Sequence, residues 1–262
     1  MQDAWNQHSI VDKKQNEEEA QYEERVRRQV RDELVKLQKP PNDFRKMSVM
    51  PSWEDFLMEE QPFLRPNIVE GQYPDAETYL DVQFRLTRED FVQPLRAGIQ
   101  EYMKQADRKQ QRFRVDNVKF YYGVTITSSE EDVKRNQYTL QFSLQGLHGI
   151  NWEGSKRLMV GSLLCLTKDR FKTVTFFTVA FRDPRQLSHG KIAARYEGGP
   201  LPGRRSCETF LMAESAVYFE AYRSVLMALQ RISPVHLPLA DFLLGKFNQL
   251  AEPDYLVGQE VI

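Results

Sequence analysis

The sequence is poor in the residues that build covalent and metal frameworks. Its 262 residues include two cysteines, Cys165 and Cys207, 42 positions apart and without the paired spacings of a zinc site. The four histidines, His8, His148, His189 and His236, are scattered, with no pair at helical spacing. This argues against metal chemistry, and no Ser-His-Asp arrangement can be built from them. No run of 18 apolar residues occurs, so no transmembrane helix is available. The first residues, MQDAWNQHSIVDKKQ, lack the apolar stretch of a signal peptide. These absences point to a cytoplasmic or nuclear protein, not a secreted one, in which a disulfide is not expected. At 262 residues, the chain is long enough for one or two domains without staples.

Charge of one sign is also lacking overall, since the formal net charge is −1. That average conceals a strong asymmetry. Residues 108–205 carry 18 Lys and Arg against 8 Asp and Glu, a net +10. Residues 1–60, 61–107 and 206–262 are each acidic, at −4, −3 and −4. A basic block between acidic flanks is the footprint of a polyanion-binding surface. The competing reading is an ordinary solvated surface.

The period of the apolar pattern divides the chain into four segments: 1–43, 44–107, 108–214 and 215–262. In the first, Val26, Val30, Leu34 and Leu37 form a narrow helical stripe from Glu17 to Lys39, which Pro40 and Pro41 end. Glu23–Arg27, Glu24–Arg28 and Asp32–Lys36 are acid-before-base pairs on that helix. A stripe so narrow forms no core. It suits a solvated, charge-laced arm better than a helix docked on a partner. In the second segment, Ser52 and Asp55 cap a short helix from Trp53 to Glu60. The run Tyr79 to Leu86 alternates and reads as a strand or extended lead-in. Thr87-Arg88-Glu89-Asp90 then opens a helix with Phe91, Leu95, Ile99, Tyr102 and Met103 on one face, and Pro94 is expected to bend it.

In the third segment the period falls to two. Val118, Phe120, Tyr122, Val124 and Ile126 alternate, and so do Tyr138, Leu140, Phe142 and Leu144. Further apolar runs at 157–167, 172–182, 191–197 and 208–213 bring the count to five or six strands with polar turns. That pattern predicts a small antiparallel barrel. Helical period returns after Ser215, with Phe219, Tyr222, Val225, Leu226 and Leu229 on one face until Pro234. The fold class is therefore α+β: a small antiparallel β-barrel flanked by two stalk helices, with an N-terminal helical arm. The two helices are expected to pack antiparallel, Phe91, Leu95, Ile99 and Met103 facing Phe219, Tyr222, Leu226 and Leu229.

Two stretches have the glycine spacing of a phosphate loop. Gly149 to Lys156 ends Ser-Lys, and Gly198 to Arg205 ends Arg-Arg. A phosphate loop needs Lys followed by Ser or Thr, because the lysine reaches the outer phosphates and the hydroxyl the magnesium. Both read as barrel turns. No catalytic constellation and no cofactor site is found. The basic residues are better placed. Arg112 and Arg114 open the barrel and Lys119 follows. Lys156, Arg157, Lys168, Arg170 and Lys172 gather at strand ends, and Arg182 follows the next strand. Cations at strand ends can converge on one rim, and phosphate contact needs little more. Single-stranded RNA, bound with weak sequence preference, is the expected partner. The alternative is a scaffold docking on another protein.

Several strings carry a resemblance. PFLRPNIVEGQYPDAETYLDVQFRLTREDFVQPLRAGI (62–99), SKRLMVGSLLCLTKDRF (155–171) and FLMAESAVYFEAYRSVL (210–226) resemble, in that order, the region preceding the helicase core in the ZNFX family. These are large superfamily-one RNA helicases with NFX-type zinc fingers, related to the up-frameshift helicases. The resemblance covers about residues 44–256. It implies that the barrel, Arg112 to Ala213, stands on stalk helices Arg88 to Met103 and Ala216 to Arg231 and contacts RNA. It further implies a place in ATP-driven RNA helicase action, small-RNA-directed silencing or heterochromatin formation, and antiviral RNA sensing. A helicase core or a silencing-complex protein is the implied protein partner. The sequence also departs from the family pattern. It holds no Walker A lysine, no DEAD-like acidic box and no zinc-finger cysteine array, so ATP hydrolysis by the family mechanism is not expected of it. It ends about where the family's core would begin, as a fragment, a short gene product or a truncated relative would.

Overall fold

The computed structural model describes residues 21–27, 29, 30, 33, 38–107, 115, 117–128, 130–201 and 208–246. The expectations for the rest of the arm, for Arg112, Arg114 and Cys207, and for the tail after 246 lie outside the described residues. Residues 21–27 are helical, Glu23 pairs with Arg27 at 3.2 Å, and Val26 and Val30 are both exposed. The described part of the arm is thus a solvated helix.

The chain divides into two compact units, one of residues 1–45, 63–86 and 230–262, the other of residues 46–62 and 87–229. The second unit holds a closed antiparallel barrel in the order β1-β2-β5-β4-β3-β6. Its strands are β1 (Val118–Thr127), β2 (Gln137–Gln141), β3 (Leu163–Thr167), β4 (Thr175–Phe181), β5 (Lys191–Gly198) and β6 (Phe210–Ser215). Closure comes from β1 pairing with β6, where Val118 faces Ser215 and Phe120 faces Ala213. Closing the sheet leaves no free edge to aggregate.

Strand alternation sorts the barrel's residues into two cores. Tyr121 and Val124 of β1, Leu164 and Leu166 of β3, Phe177 and Val179 of β4, and Phe210 and Met212 of β6 share the interior. The opposite parity, Val118, Leu163, Cys165, Phe176 and Ala213, packs with Phe56, Phe91, Leu95, Ile99 and Phe219. This is why β3, LLCLT, is buried at every position and reads as an unbroken apolar run.

The helices are α1 (Trp53–Leu57), α2 (Ala76–Asp107), α3 (Glu130–Lys134), α4 (Pro184–Ser188), α5 (Phe219–Arg231) and α6 (Ala240–Leu243). Three sequence expectations are corrected here. The run Tyr79 to Leu86 is helical, because α2 starts at Ala76, where Asp75 Oδ1 accepts from the Thr78 amide at 2.7 Å. Leu80, Val82 and Phe84 are all fully buried and stand two apart, so a helix packed on several faces mimics a strand. Thr87-Arg88-Glu89-Asp90 lies inside α2, and the helix passes Pro94 unbroken. Finally, Ser215 ends β6 instead of capping α5. Its Oγ accepts from the Val217 amide at 3.2 Å and shapes a turn, and the helix begins only at Phe219. The two stalk helices do meet: Phe91 lies 5.0 Å from the Phe219 ring and 5.8 Å from Tyr222, and Tyr222 donates to Asp90. These ring contacts involve the first turn of α5, while Leu226 is buried outside the three apolar clusters.

Among the described residues, no helix is long and apolar enough to cross a membrane.

Candidate nucleic-acid interface

The interior-facing parity of β6 runs Phe210, Met212, Glu214. The first two fill the barrel core, and the third places a carboxylate at its end. Glu214 is 4% exposed. Its Oε2 accepts from the Tyr121 hydroxyl at 2.6 Å and its Oε1 from the Leu158 amide at 2.5 Å. Leu158 adopts a positive φ of 51°, which turns that amide inward. Burial raises the Glu214 carboxyl above its usual value, against the opposing pull of these two donors and of the charges on Arg157 and Lys119. Burial, with Glu214 beside it, raises the Tyr121 hydroxyl as well.

Around this carboxylate opens a groove of about 700 Å³. Four cations line it: Lys119 of β1, Lys156 and Arg157 of the long β2–β3 connection, and Arg182 just past β4. Lys119 stands directly opposite Glu214 in the β1–β6 register. Arg182 holds the connection in place. Its Nε donates to the Arg157 carbonyl at 3.2 Å, and its Nη2 to the carbonyls of Ser155, at 3.0 Å, and Trp152. A guanidinium spent on three main-chain carbonyls is a clamp that still contributes charge. Lys119 and Lys156 are exposed and Arg157 is half-buried. Between the cations lie exposed apolar side chains, Met159 at 43%, Val160 at 48% and Tyr218 at 50%.

Among the described residues, the other basic candidates do not line this groove. Lys168, Arg170 and Lys172 occupy the β3–β4 turn, at the far end of β3 from Ser162 on the groove wall. Lys168 pairs with Glu208 at 3.0 Å. Arg170 and Phe171 both have positive φ, and the Thr167 hydroxyl accepts the Phe171 amide at 2.9 Å while Phe171 enters the outer core. Thus Lys119, Lys156, Arg157 and Arg182 come together, and Lys168, Arg170 and Lys172 form a second place. Sequence reasoning does not single out Met159, Val160, Glu214 or Tyr218. An acid at an interior parity of an apolar strand is the one signal that could have found Glu214.

The glycine-spaced stretch 149–156 lies in the connection between two antiparallel strands and leads into β3, not into a helix. Asn151 Oδ1 accepts there from the amides of Glu153 and Gly154, an ordinary side-chain turn.

The profile of the ZNFX1 domain matches residues 113–216, a span that contains the whole barrel. The chain is similar to the NFX1-type zinc finger-containing protein 1 of Homo sapiens, 35% identical over 218 residues, which covers 82% of this chain and 11% of that protein. It is 31% identical over 218 residues to the helicase required for RNAi-mediated heterochromatin assembly 1 of Schizosaccharomyces pombe, with 79% and 21% covered. The Caenorhabditis elegans homologue of the zinc finger-containing protein is 28% identical over 247 residues, with 86% and 10% covered. The chain therefore spans about a tenth to a fifth of the length of these relatives.

Proposed function

The chain belongs to the family that carries the ZNFX1 domain, and from that premise we propose that it is a non-catalytic, RNA-binding accessory region working with an RNA helicase in RNA-directed silencing or surveillance. The word helicase and the link to RNAi-mediated heterochromatin come from the name of the fission-yeast relative. The observation that carries the RNA reading is the groove itself. Four cations and one carboxylate line it, beside an exposed tyrosine and two exposed apolar side chains. Cations neutralise phosphates, an aromatic face accepts a base, and nothing in the groove forms a base-reading pattern. Binding is accordingly weak and indifferent to sequence, with a dissociation constant of about 10⁻⁴–10⁻⁶ M at physiological salt, by analogy with non-specific DNA binding.

The test is a salt titration of single-stranded RNA binding. Removing one cation that neutralises a phosphate flattens the slope of log affinity against log salt by about 0.7. Replacing Lys119 and Lys156 by alanine together is expected to flatten it by about 1.4. Replacing Lys168 and Lys172 is expected to leave it nearly unchanged, since Lys168 is already neutralised by Glu208. A slope that responds only to the second pair would move the site to the β3–β4 turn. No RNA binding at low salt would leave the second reading, a scaffold for a helicase core or silencing-complex protein. The exposed Met159 and Val160 favour that reading, because protein contacts use apolar surface that phosphates do not.

A further inference from the structure

One aromatic ring of the basic groove is held in place by a glycine. Tyr218 is 50% exposed and lines the groove just before α5 begins. Its backbone is anchored by the next residue, Phe219, which is fully buried in the outer core. Its ring lies against a turn of Met159, Val160, Gly161 and Ser162, closed by the Ser162 amide donating to the Met159 carbonyl at 2.9 Å. Gly161 has a φ of 85° at the third position of that turn, where a positive φ favours glycine. The Gly161 amide donates to the Val179 carbonyl at 2.8 Å, and the Val179 amide to the Ser162 carbonyl at 3.0 Å, so the turn is tied to β4. A Cβ added to Gly161 would stand 3.0 Å from the Tyr218 Cε2, the Tyr218 hydroxyl and the Glu220 Cβ. The ring is therefore seated against bare backbone, in space that any side chain at 161 would take.

The surroundings fit one base with its flanking phosphates. Exposed Met159 and Val160 stand on the same turn, so apolar surface adjoins the ring. Arg182 is committed to three main-chain carbonyls, and Arg157 is half-buried. The accessible positive charge is that of Lys119 and Lys156, both exposed, and an ammonium meets a phosphate as a point charge. The groove, about 700 Å³, falls in the range of sites for one small molecule, roughly 300–1,000 Å³. A base inside a duplex is covered on both faces by its neighbours and reaches a side chain only after unstacking and unpairing. A base in a flexible single strand reaches one at little cost.

We propose that Tyr218 is a base-stacking platform, that Gly161 is its positioning residue, and that the two make the groove selective for single-stranded over double-stranded RNA. The proposal rests on the RNA reading of this groove and adds to it a contact that charge does not supply. Lys119 and Lys156 set the salt dependence, and Tyr218 sets the requirement for an unstacked base.

The experiment uses the full chain and three end-labelled probes of equal length. These are an oligouridine with one central 2-aminopurine, the same strand annealed to its complement, and an oligomer whose residues are all abasic. Anisotropy across a salt titration reads affinity, and 2-aminopurine fluorescence reads stacking. The single strand is expected to be quenched on binding and to bind about 5- to 100-fold more tightly than the abasic oligomer, the range of one base–aromatic stack. Tyr218→Ala is expected to erase that difference. It weakens the single strand, leaves the abasic oligomer as it was, and leaves the slope against log salt unchanged, because no phosphate contact is lost. Gly161→Ala is expected to weaken the single strand and its quenching in the same direction, and Tyr218→Phe to restore both. The comparison of single strand with abasic oligomer needs no variant, so it decides the matter even if Gly161→Ala fails to fold. Equal affinity for those two probes, with a slope that still responds to Lys119→Ala and Lys156→Ala, would overturn the platform and leave the RNA reading standing. A Tyr218→Ala loss as large on the abasic oligomer would make the tyrosine a structural residue and overturn it too. Undiminished quenching in Gly161→Ala would overturn the positioning role, and a duplex bound as tightly as the single strand would overturn the selectivity. No binding of any probe at low salt would overturn this proposal and the RNA reading together.

Discussion

At the scale of single residues, Glu214 shows how one side chain can join a core to a surface. Its position in β6 gives it the interior parity of Met212, yet its carboxylate faces cations at the groove. The sign of its pH linkage follows from burial. The folded chain keeps the Glu214 proton at pH values where the unfolded chain, near the ordinary 4.5, has lost it. Stability therefore falls as pH rises from about that value, and above the raised folded value the full cost of burying the charge is felt. Glu214→Gln keeps the acceptor for the Leu158 amide and removes the charge. It is expected to stabilise the protein by about 1 kcal/mol at pH 7, with the difference vanishing below about pH 4. Urea unfolding at the two pH values measures this, and a Gln variant less stable at pH 7 would mean that Arg157 and Lys119 outweigh desolvation. None of this is legible in the sequence beyond an acid within FLMAES, because the partners Tyr121 and Leu158 are brought to it only by barrel closure.

At the scale of elements, α2 organises the segment before it through arginines. Arg88 grips Asp55 with two bonds of 3.1 and 2.8 Å, and Asp55 also accepts the Ser52 amide at 2.7 Å, which caps α1. Arg96 donates to the Asp55 carbonyl at 2.6 Å and pairs with Glu89. The Ser52–Asp55 cap is readable from sequence, since its logic is local, although α1 ends at Leu57 and not at Glu60. The Arg88 contact spans 33 residues, and no local pattern announces it. Burial alone would raise the Asp55 carboxyl, but the Arg88 hydrogen bonds and charge outweigh it and hold the group below the usual 3.8. A depressed carboxyl stabilises the fold at pH values above its ordinary value, and that contribution is lost as pH falls. Arg88→Met is therefore expected to cost about 3 kcal/mol at pH 7, the cost of breaking a buried pair, and clearly less at pH 3. Guanidinium chloride midpoints at both pH values test it, and an equal loss at each would show that Arg88 contributes packing and not charge. The same distinction between local and distant causes explains which strands can be read. β1 and β2 each have one solvated face, whereas the helix at 79–86, buried on several sides, imitates a strand.

At the scale of the whole molecule, the basic block and the barrel coincide, as the sequence suggests, but the charge does not gather in one place. Period-2 patterning fixes which side of a strand faces inward and says nothing of which strand ends adjoin. Sequence reasoning therefore groups Lys156 with Lys168, although β3 separates them. The two-core arrangement makes a larger prediction about where the folding unit ends. The profile match covers 113–216, yet the outer face of the barrel there, Val118, Leu163, Cys165, Phe176 and Ala213, is covered by Phe56, Phe91, Leu95, Ile99 and Phe219 from outside that span. Uncovering several large side chains at about 1.5–3 kcal/mol each removes roughly 10 kcal/mol. That is of the order of the entire stability of a domain, about 5–15 kcal/mol. A fragment of residues 113–216 is accordingly expected to bind a hydrophobic dye and to melt without a cooperative transition. A fragment of residues 46–231, which restores both helices and the Phe56 segment, is expected to melt cooperatively with little dye bound. Parallel thermal scans of the two fragments decide the matter: a sharp transition in 113–216 at the temperature of the longer fragment would show that the barrel interior alone, with Tyr121, Leu164, Phe177 and Met212, suffices, and that the stalk helices serve the barrel's placement and not its stability.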